Sequence, residues 1–520
     1  MAMMYKLCKI ENLLFCLLCF VSIFSYSHNM TDTYVMSKWC FTLFVLLFSI
    51  FVLSTNKLYG KTIRIDVTAC SYIIILIIIC QALYGIGQWF QWIPSIGHYK
   101  IVGSFDNPAG FASCLCIGLP FVTLCLKAAK GILLRVFLYL LASIIILTVI
   151  ISESRTGVMS IAAIISIYYS HYIPLKRKAK AAILTGVFFL LLGGSYFLKK
   201  DSADGRLLIW TCSWKMIKDS PVYGHGINSF RTHYMDYQAH YFEQHPDSRY
   251  SMLADNVLCP FNEYLTVLMD FGFLGLFLLL VFISFLLFCY YKQPGDEQRA
   301  ALLSLLSVGV FSLFSYPFMY PFVWVIVCFD IYILLKRVVH WTFAPIYKKL
   351  LCLVVIMFCL DFSYKLHQRI RAEYRWNDIA YLHATDKSLV VYKNLMPVLG
   401  SNPYFLYNYA VALLDVDSLD ESLDKALRCR TYWADYDLEL LLGDIYKRRK
   451  EYEISERYYK KASYMCPCRF MPLYRMFELY KDMGDKERYQ SMAQLIIAKP
   501  VKVQSSIVRQ IKHKVKREVK

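Results

Sequence analysis

The amino-acid sequence predicts an all-α protein, in which a polytopic bundle of about eleven transmembrane helices precedes a soluble α-solenoid of helical repeats. The first observation is composition: the 520 residues are 58% apolar and only 18% charged, whereas soluble domains carry about 25% charged residues. The second is a series of long apolar runs that ends near residue 362, and the third is the polar, helical pattern that follows. The same composition excludes disordered, collagen-like and small disulfide-stabilised proteins.

The membrane part is predicted from run length, because a helix needs roughly 17–25 mostly apolar residues to span a bilayer. The first run is short, but no small-residue cleavage site follows Ser27, so we interpret it as an anchor rather than a removed signal. A Pro-marked hairpin at 315–318 separates the ninth and tenth runs. The eleven predicted spans are 11–27, 35–54, 65–83, 108–126, 132–152, 155–173, 181–198, 263–291, 300–315, 318–335 and 345–362.

Lys and Arg in the short loops predict the orientation of the spans, since cytoplasmic loops carry the excess of these residues. Residues 28–34 contain no Lys or Arg, and residues 84–107 contain only Lys100. The alternate loops are basic, at Lys6 and Lys9, Lys57, Lys61 and Arg64, Lys127, Lys130 and Arg135, Lys176 to Lys180, Lys292 and Arg299, and Lys336 to Lys349. This asymmetry predicts an inside N-terminus and an outside C-terminus, with residues 199–262 and the chain after 363 outside.

The net charge of +19, from 57 Lys and Arg against 38 Asp and Glu, raises the question of nucleic-acid binding. No DNA- or RNA-binding signature accompanies the charge. We therefore assign the basic excess to loops that face the anionic leaflet of the membrane lipids, and we expect no nucleic-acid partner.

The predicted domains are a transmembrane domain over 1–362 with a large outer loop at 199–262, a helical linker over 363–400, repeats over 401–500 and a basic tail over 501–520. Gly443, Tyr446, Tyr459, Ala462 and Pro467 follow the tetratricopeptide (TPR) pattern of a unit of about 34 residues. A weaker copy precedes this unit and another follows it. The repeats have two interpretations, a docking surface for a protein partner or a rigid spacer.

The basic tail holds eight Lys and Arg from position 499 onward against one Glu, with apolar positions at Val501, Ile507, Ile511 and Val515. Such a segment is either a solvated charge run or a basic helix that rests on anionic lipid headgroups. Both interpretations stay open from the sequence.

Polar residues gather on the predicted outer side, at the edges of the spans, where they are costly and mark function. Asn107 precedes the fourth span, Arg155 lies in a tight turn between the fifth and sixth, and Asn262 and Glu263 open the eighth. A transporter would instead place such groups near the bilayer midplane on broken helices in two repeated halves. The pattern favours a reaction on a substrate whose tail lies in the membrane and whose head lies outside.

Four motifs in order resemble the O-antigen ligase family, which includes lipopolysaccharide O-antigen ligases and bacterial O-oligosaccharyltransferases. The first resembles the family's Gly-x-Phe-x-Asn-Pro segment, and the second its Ser-Arg-Gly-type turn. The third and fourth follow the family's order and spacing, so that the resemblance covers roughly residues 84–292. The motifs are Gly103 to Phe111, Ser154 to Gly157, Asp204 to Phe230 with Trp210 and Gly224-His225-Gly226, and Asn262 to Gly275.

The resemblance implies transfer of a glycan from an undecaprenyl-diphosphate carrier to an acceptor hydroxyl, without a cofactor or metal. Arg suits the leaving diphosphate because its guanidinium is always charged and binds phosphate oxygens in a fork. The expected diphosphate-binding residues are Arg155, Arg206 and Arg231, and the other expected substrate-binding residues are Asn107 and Asn262.

Phe261 stands where many similar proteins carry a histidine that is suspected of activating the acceptor hydroxyl. The base must therefore come from elsewhere, or departure of the leaving group suffices. The candidates for the base are Glu263, Asp255 and His245.

The acceptor stays open among a lipid A–core sugar, a protein Ser or Thr, and the growing glycan, which would make the protein a polymerase. The repeats favour a protein acceptor or partner by analogy. The resemblance implies a multi-pass protein of the bacterial inner membrane with its C-terminal domain in the periplasm. A different class is a non-catalytic TPR scaffold of polysaccharide export.

Overall fold

The computed structural model describes residues 9–63, 65–95, 97–170, 174, 176–198, 200–338 and 345–519. Helices are the regular structure throughout this part of the chain, apart from one 3₁₀ turn at Pro317–Met319, so the all-α prediction is confirmed. The helices that precede the 3₁₀ turn are α1 Ile10–Phe24, α2 Val35–Leu58, α3 Val67–Trp89, α4 Pro108–Ala128, α5 Ile132–Ile151, α6 Arg155–Ser170, α7 Arg177–Leu198, α8 Lys200–Asp219, α9 Ser229–Gln244, α10 Glu263–Lys292 and α11 Asp296–Phe314. The later helices are α12 Pro321–Leu335, α13 Pro345–Ala380, α14 Asp386–Leu399, α15 Pro403–Asp415, α16 Leu419–Arg430, α17 Tyr436–Arg448, α18 Tyr452–Met465, α19 Met471–Met483, α20 Lys486–Ala498 and α21 Ser506–Glu518.

Each predicted span falls on one of the helices α1–α7 or α10–α13, although α13 continues to Ala380, well past the predicted end at 362. Among the described residues, six helices are both long and apolar enough to cross a membrane, namely α2, α3, α4, α5, α10 and α11. Two shorter apolar helices, α1 and α12, accompany them. The chain is thus a membrane protein, and the count of eleven spans stays a prediction. Lys6, Arg64 and the end of the predicted sixth span, residues 171–173, lie outside the described residues.

The chain folds into two compact units. The first unit comprises Met1–Phe197, Phe261–Glu263 and Leu278–Tyr374, and the second comprises Leu198–Pro260, Tyr264–Phe277 and Arg375–Lys520. The sequence predicts that the loop 199–262 belongs to the transmembrane domain. In the structure its described residues up to Pro260, hereafter the long loop, pack instead with the C-terminal helices.

Helix α4 is the central helix of the first unit. It contacts α3, α5, α6, α11 and α12, and from Gly110 to Val122 every side chain is buried. Helix α3 runs antiparallel to α4, because Gly85 faces Phe111 while Ile78 faces Gly118. In contrast, α5 and α10 expose many large apolar side chains, as expected for helices that face lipid.

The C-terminal part of the second unit is a series of helical hairpins. The first helices of three successive hairpins begin at Pro403, Tyr436 and Met471, which are 33 and 35 residues apart. Within two of the hairpins the same bond recurs one period later: Ser422 Oγ donates to Ala410 O at 2.7 Å, and Ser455 Oγ donates to Gly443 O at 2.8 Å. The period and the recurring bond fit a repeat array, while its assignment as TPR stays a prediction.

The basic tail forms the last helix, α21, which packs against the final hairpin. Ile511 and Val515 are buried in an apolar cluster with Phe470, Phe477 and Ile496. Two of the four apolar positions noted in the sequence are therefore covered by protein. Ile507 is 55% exposed, whereas Val515 is fully buried.

Replacing Val515 with Asp should lower the free energy of unfolding by about 2–4 kcal/mol, because a carboxylate would be buried without a partner. The matched variant Ile507→Asp, on the same helix, should leave it nearly unchanged. Thermal unfolding of the purified protein in detergent measures both. Equal effects of the two variants would contradict the packing of α21 described above.

Candidate functional site

A cluster of polar side chains surrounds the N-terminus of α4 in the first unit, and we call Asp106, Asn107, Tyr316 and Tyr320 the α4 cap cluster. Asn107 Oδ1 accepts a hydrogen bond from the Gly110 N–H at 2.8 Å, so that Asn107 is the N-cap of α4. Its Nδ2 donates to the hydroxyl oxygens of Tyr316 and Tyr320 at 2.9 and 2.6 Å. The hydroxyl of Tyr320 in turn donates to Asp106 Oδ1 at 2.7 Å.

The segment that leads into the cluster is held by a side-chain amide of α3. Gln88 Oε1 accepts hydrogen bonds from the backbone N–H groups of Val102 and Gly103 at 3.0 and 2.7 Å, and its Nε2 donates to Gly103 O at 3.0 Å. These bonds satisfy backbone N–H and C=O groups of a buried irregular segment, because burying such groups without hydrogen-bond partners would cost free energy. They also fix the position at which the chain reaches Asp106.

A buried cation, Lys38 of α2, lies close to this segment. Its side chain is 1% exposed, its Nζ donates to Ser25 O at 2.9 Å, and it interacts electrostatically with Asp106. The Nζ also lies 5.8 Å from the centroid of the Phe105 ring. Lys38 is not among the site residues predicted from the sequence, although a lone Lys near the start of an apolar span is the kind of signal that marks a functional or paired charge.

Arg155 is the first residue of α6 and follows a sharp turn. Ser154 Oγ accepts from the Gly157 N–H at 3.2 Å, and a Cβ at Gly157 would lie 3.0 Å from that of Ala112 and 2.6 Å from Val149. Glycine is therefore required where α6 crosses α4. Ala112 is five residues after Asn107, about 7.5 Å along the helix axis. The half-buried Arg155 thus lies at the same end of the bundle as the α4 cap cluster.

Asn262 and Glu263 belong to the first unit and lie beside the same cluster. Phe261, which precedes them, packs its ring against that of Tyr316 with centroids 5.5 Å apart at 60°. Glu263 is the first residue of α10, and both it and Asn262 are half-buried. Of the predicted site residues, the first unit therefore brings Asn107, Arg155, Asn262 and Glu263 to one end.

The long loop in the second unit carries Arg206 on α8 and Arg231 on α9, both half-buried. Trp210, one turn after Arg206, donates from its indole N–H to Pro260 O at 3.0 Å. This bond joins the middle of α8 to the end of the loop. Arg206 and Arg231 are thus carried by helices rather than by irregular chain.

Two motifs that are far apart in sequence meet where α10 is broken at Gly272, whose φ is +63°. The N–H groups of His225 and Gly226 donate to Met269 O and Asp270 O at 2.7 and 3.0 Å. A Cβ at Gly272 would lie 2.3 Å from Val222 O, so only glycine fits. The glycines of these motifs therefore join the long loop to the early turns of α10 within the second unit.

Two of the three predicted bases, Asp255 and His245, lie in the second unit and already have partners there. Burial alone would raise the pKa of Asp255, but hydrogen bonds from Arg469, the shorter at 2.7 Å, and from the Asn256 N–H lower it below its usual range. His245 is exposed, and its Nδ1 lies 2.9 Å from Tyr241 O. A lowered pKa makes Asp255 a weaker base than an ordinary carboxylate.

The long loop is bound to the repeats by a charge network. Arg430 pairs with both Asp236 of α9 and Glu439 of α17, and Glu439 is fully buried. Lys461 of α18 lies 2.9 Å from Asp236 and 3.1 Å from Glu439. Two cations thus balance two carboxylates, as a buried group of charges requires.

Backbone and amide bonds add to this attachment. The Ala434 N–H, between α16 and α17, donates to Arg231 O at 2.8 Å, and Gln238 Nε2 donates to Met465 O at 2.6 Å. Asn256 Nδ2 donates to Asp435 Oδ2 at 2.6 Å. The repeats therefore hold the loop helix that carries Arg231 at several points along its length.

Within the described residues, no group of three or more His, Cys, Asp or Glu is arranged to hold a metal ion. The histidines of the long loop, including His225, whose Nε2 lies 2.8 Å from Met216 O, engage neighbouring protein groups instead.

Apolar helices with polar side chains at one end of the bundle define a helical membrane protein. A match to a known protein family indicates which class of membrane protein this is. The model of the family described as O-antigen ligase (Wzy_C) matches residues 139–280 and supports that family for this chain. The family is associated with glycosyl-transfer enzymes such as O-antigen ligases, and the match suggests a membrane enzyme of ligase or polymerase type. Lipid-linked glycans and acceptors are the substrates of that family. The matched residues include Arg155, Arg206, Arg231 and Glu263 but not Asn107. No curated protein matches the chain.

Replacing Arg430 with Ala should lower the free energy of unfolding of the second unit by about 1–3 kcal/mol, because Glu439 stays buried with Lys461 as its remaining cation. Tryptic cleavage within the long loop should become faster. The control is Arg428→Ala, which removes the same charge from an exposed position on α16. If both variants are cleaved at the wild-type rate, the network does not hold the loop.

Asp435 makes the stability of the folded protein depend on pH in a defined direction, because burial raises the pKa of its carboxyl group to about 6. The folded state holds this proton more tightly than the unfolded state, so the stabilisation is full below the ordinary pKa of 3.8 and is lost as pH rises towards 6. Asp435→Asn removes the buried charge, and a flipped Asn256 amide can accept from it through Oδ1, a buried atom with no partner among the described residues. The variant should unfold at a higher temperature than wild type at pH 7, with a difference that shrinks towards pH 4.5.

The N-cap Asp485 of α20 is the control for this measurement. A hydrogen bond from the Arg488 N–H lowers the pKa of Asp485. Asp485→Asn should therefore destabilise the folded protein at pH 7 and have a smaller effect at acidic pH. The same sign for both variants would contradict the burial of Asp435.

Proposed function

We propose that this protein is a glycosyltransferase of the bacterial inner membrane that moves a glycan from undecaprenyl diphosphate to an acceptor hydroxyl on the periplasmic side. The observation that carries the proposal is the family match over 139–280, within which Arg155 begins a helix beside the α4 cap cluster. The C-terminal repeats then also lie in the periplasm. The acceptor is a lipid A–core sugar or a protein Ser or Thr.

The reaction is a displacement at the anomeric carbon of the donor sugar. The acceptor oxygen forms a bond to this carbon while the bond to the diphosphate oxygen breaks, and the electron pair leaves with the lipid diphosphate. The main requirement is to stabilise the developing negative charge where little water is present. Arg155, Arg206 and Arg231 fulfil this role, and the amide of Asn262 binds the sugar or the diphosphate. The amide of Asn107, expected from the sequence to bind substrate as well, already bonds to Gly110, Tyr316 and Tyr320 and instead positions its neighbours.

The acceptor hydroxyl loses its proton to a base, for which Glu263, Asp255 and His245 are the proposed candidates. Glu263 is favoured because it lies with Arg155 in the first unit, whereas the ion pair with Arg469 lowers the pKa of Asp255. No cofactor or metal takes part in this scheme.

The repeats have a role within the chain, since they bind the loop helix that carries Arg231 through Ala434, Arg430 and Lys461. This contact favours the repeats as a support for the long loop over the rigid-spacer interpretation. A protein partner or protein acceptor would bind the faces of the array that the loop leaves uncovered.

Two other functions are tested by the same experiment. The family match also admits a polymerase, in which the acceptor is the growing glycan. A non-catalytic scaffold of polysaccharide export would need the repeats but no arginine that binds diphosphate.

Arg155→Ala, Arg206→Ala and Arg231→Ala should each reduce transfer by about 100-fold or more, because each removes charge stabilisation from the leaving group. Arg155→Lys should also fail, since Lys keeps the charge but lacks the fork that binds two phosphate oxygens. Complementation of a deletion strain measures this, with surface polysaccharide and glycoprotein profiled after membrane expression is verified.

The matched control is Arg135→Ala, an exposed arginine near the start of α5, at the other end of the helix from the Arg155 turn. Whichever profile collapses identifies the acceptor class. Restoration of every glycoconjugate by all of the arginine variants would favour the scaffold.

A further inference from the structure

The carboxylate of Asp106 is held in a fixed orientation at the end of the bundle where the proposed transfer takes place. The Tyr320 hydroxyl donates to Oδ1 at 2.7 Å, and Asn107 Nδ2 lies 3.2 Å from Oδ2. Tyr320 is 2% and Asn107 8% exposed, whereas Asp106 is only half-buried. Two buried groups therefore orient a carboxylate that still reaches the surface, and its remaining lone pairs can accept a proton.

Asp106 is also connected to position 261, where a base is expected from the resemblance and Phe stands instead. Asn107 Nδ2 reaches the Tyr316 hydroxyl at 2.9 Å, and the ring of Tyr316 packs on that of Phe261. Two contacts thus link the Asp106–Asn107 pair to Phe261, which precedes Asn262 and Glu263 in the chain. Position 261, where Phe stands in place of the expected histidine, and the carboxylate of Asp106 therefore belong to one cluster of the first unit.

A buried cation lies near the carboxyl group of Asp106. Lys38 is buried, interacts electrostatically with Asp106 and lies over Phe105. The ring of Phe105 meets that of Tyr320 edge-on, 5.1 Å apart at 87°. A buried cation beside the cluster needs a counter-charge, and Asp106 provides one. Among the described residues no ion pair occupies the oxygens of its carboxylate.

We propose that Asp106, in place of Glu263 and the other two candidates, is the general base of the transfer, a role that rests on the proposed function. One oxygen of its carboxylate takes the proton of the acceptor hydroxyl as the acceptor oxygen forms its bond to the anomeric carbon. The bond from that carbon to the diphosphate oxygen breaks with its electron pair on the diphosphate, so charge and protons balance. Tyr320 and Asn107 are positioning residues that orient the carboxylate.

The test compares Asp106→Asn, which keeps the shape of the side chain, with wild type in the complemented deletion strain. Glycan transfer should fall by about 100-fold or more, as for the loss of a general base. Binding of polyprenyl diphosphate alone to the purified full-length variant should stay within about threefold of wild type, since the base contacts the acceptor. The matched control is Asp66→Asn, another half-buried residue at a helix start, at the opposite end of the bundle, which should transfer normally.

A second variant keeps the test informative if Asp106→Asn is impaired for structural reasons. Adding Phe261→His to Asp106→Asn places an imidazole against Tyr316, and it should restore part of the transfer. The restored activity should rise with pH through about 6.5, the ordinary pKa of His, whereas wild type should lack this step.

The outcomes separate the two proposals. Transfer by Asp106→Asn at half the wild-type rate or more overturns the role of Asp106, as does a loss of polyprenyl diphosphate binding together with transfer. No rescue by the double variant in a stably expressed protein also counts against it. If wild type fails to bind polyprenyl diphosphate and Arg155→Ala transfers normally, the proposed function itself fails.

Discussion

The architecture of the first unit depends on the side-chain amide of Asn107. Its oxygen caps α4, the helix around which α3, α5, α6, α11 and α12 pack, and its nitrogen binds the two tyrosines at either end of the turn that joins α11 to α12. One residue therefore fixes where the central helix begins and how the 316–320 turn docks on it. Only the amide side chains of Asn and Gln offer both an oxygen that accepts and two hydrogens that can be donated, and Gln is longer by one methylene.

The second unit depends on balanced charges. Arg430 and Lys461 face Asp236 and Glu439, and removing any member leaves an excess charge in a largely buried group. The network joins residues about 200 positions apart, so the loop and the repeats fold into one unit although the first unit's helices separate them in sequence. A loop held in this way loses little further entropy when it binds a substrate, which favours tight binding by the residues it carries.

The sequence predicts elements that depend on local properties and fails where distant residues meet. Apolar runs locate the helices α1–α7 and α10–α13 because length and hydropathy are local, and the spacing of Gly443, Tyr459 and Ala462 locates the hairpins. The pairing of Asp236 with Arg430 has no local signal, and neither does the burial of Ile511 and Val515 by the last hairpin. For the site, the motifs identify Asn107 and Arg155, and Lys38 has a local signal as a lone Lys near the start of an apolar span. The roles of Tyr316 and Tyr320 become visible only once the 316–320 turn meets α4.

The motif residues are of two kinds: glycines that close packing requires, and charged residues that packing alone does not explain. At Gly157 and Gly272 a Cβ would clash with Ala112, Val149 or the backbone of Val222, so packing alone explains these glycines. Packing alone does not explain the charges of Arg155 and Asp106, since both side chains are half-buried, although Asp106 also balances the buried Lys38. Placing charged side chains at the edge of an apolar bundle costs free energy. This cost is explained if the two residues bind a charged substrate and accept a proton there. The chemistry of this protein is therefore to be sought among the charged residues of the motifs, and the glycines explain how the helices bring them together.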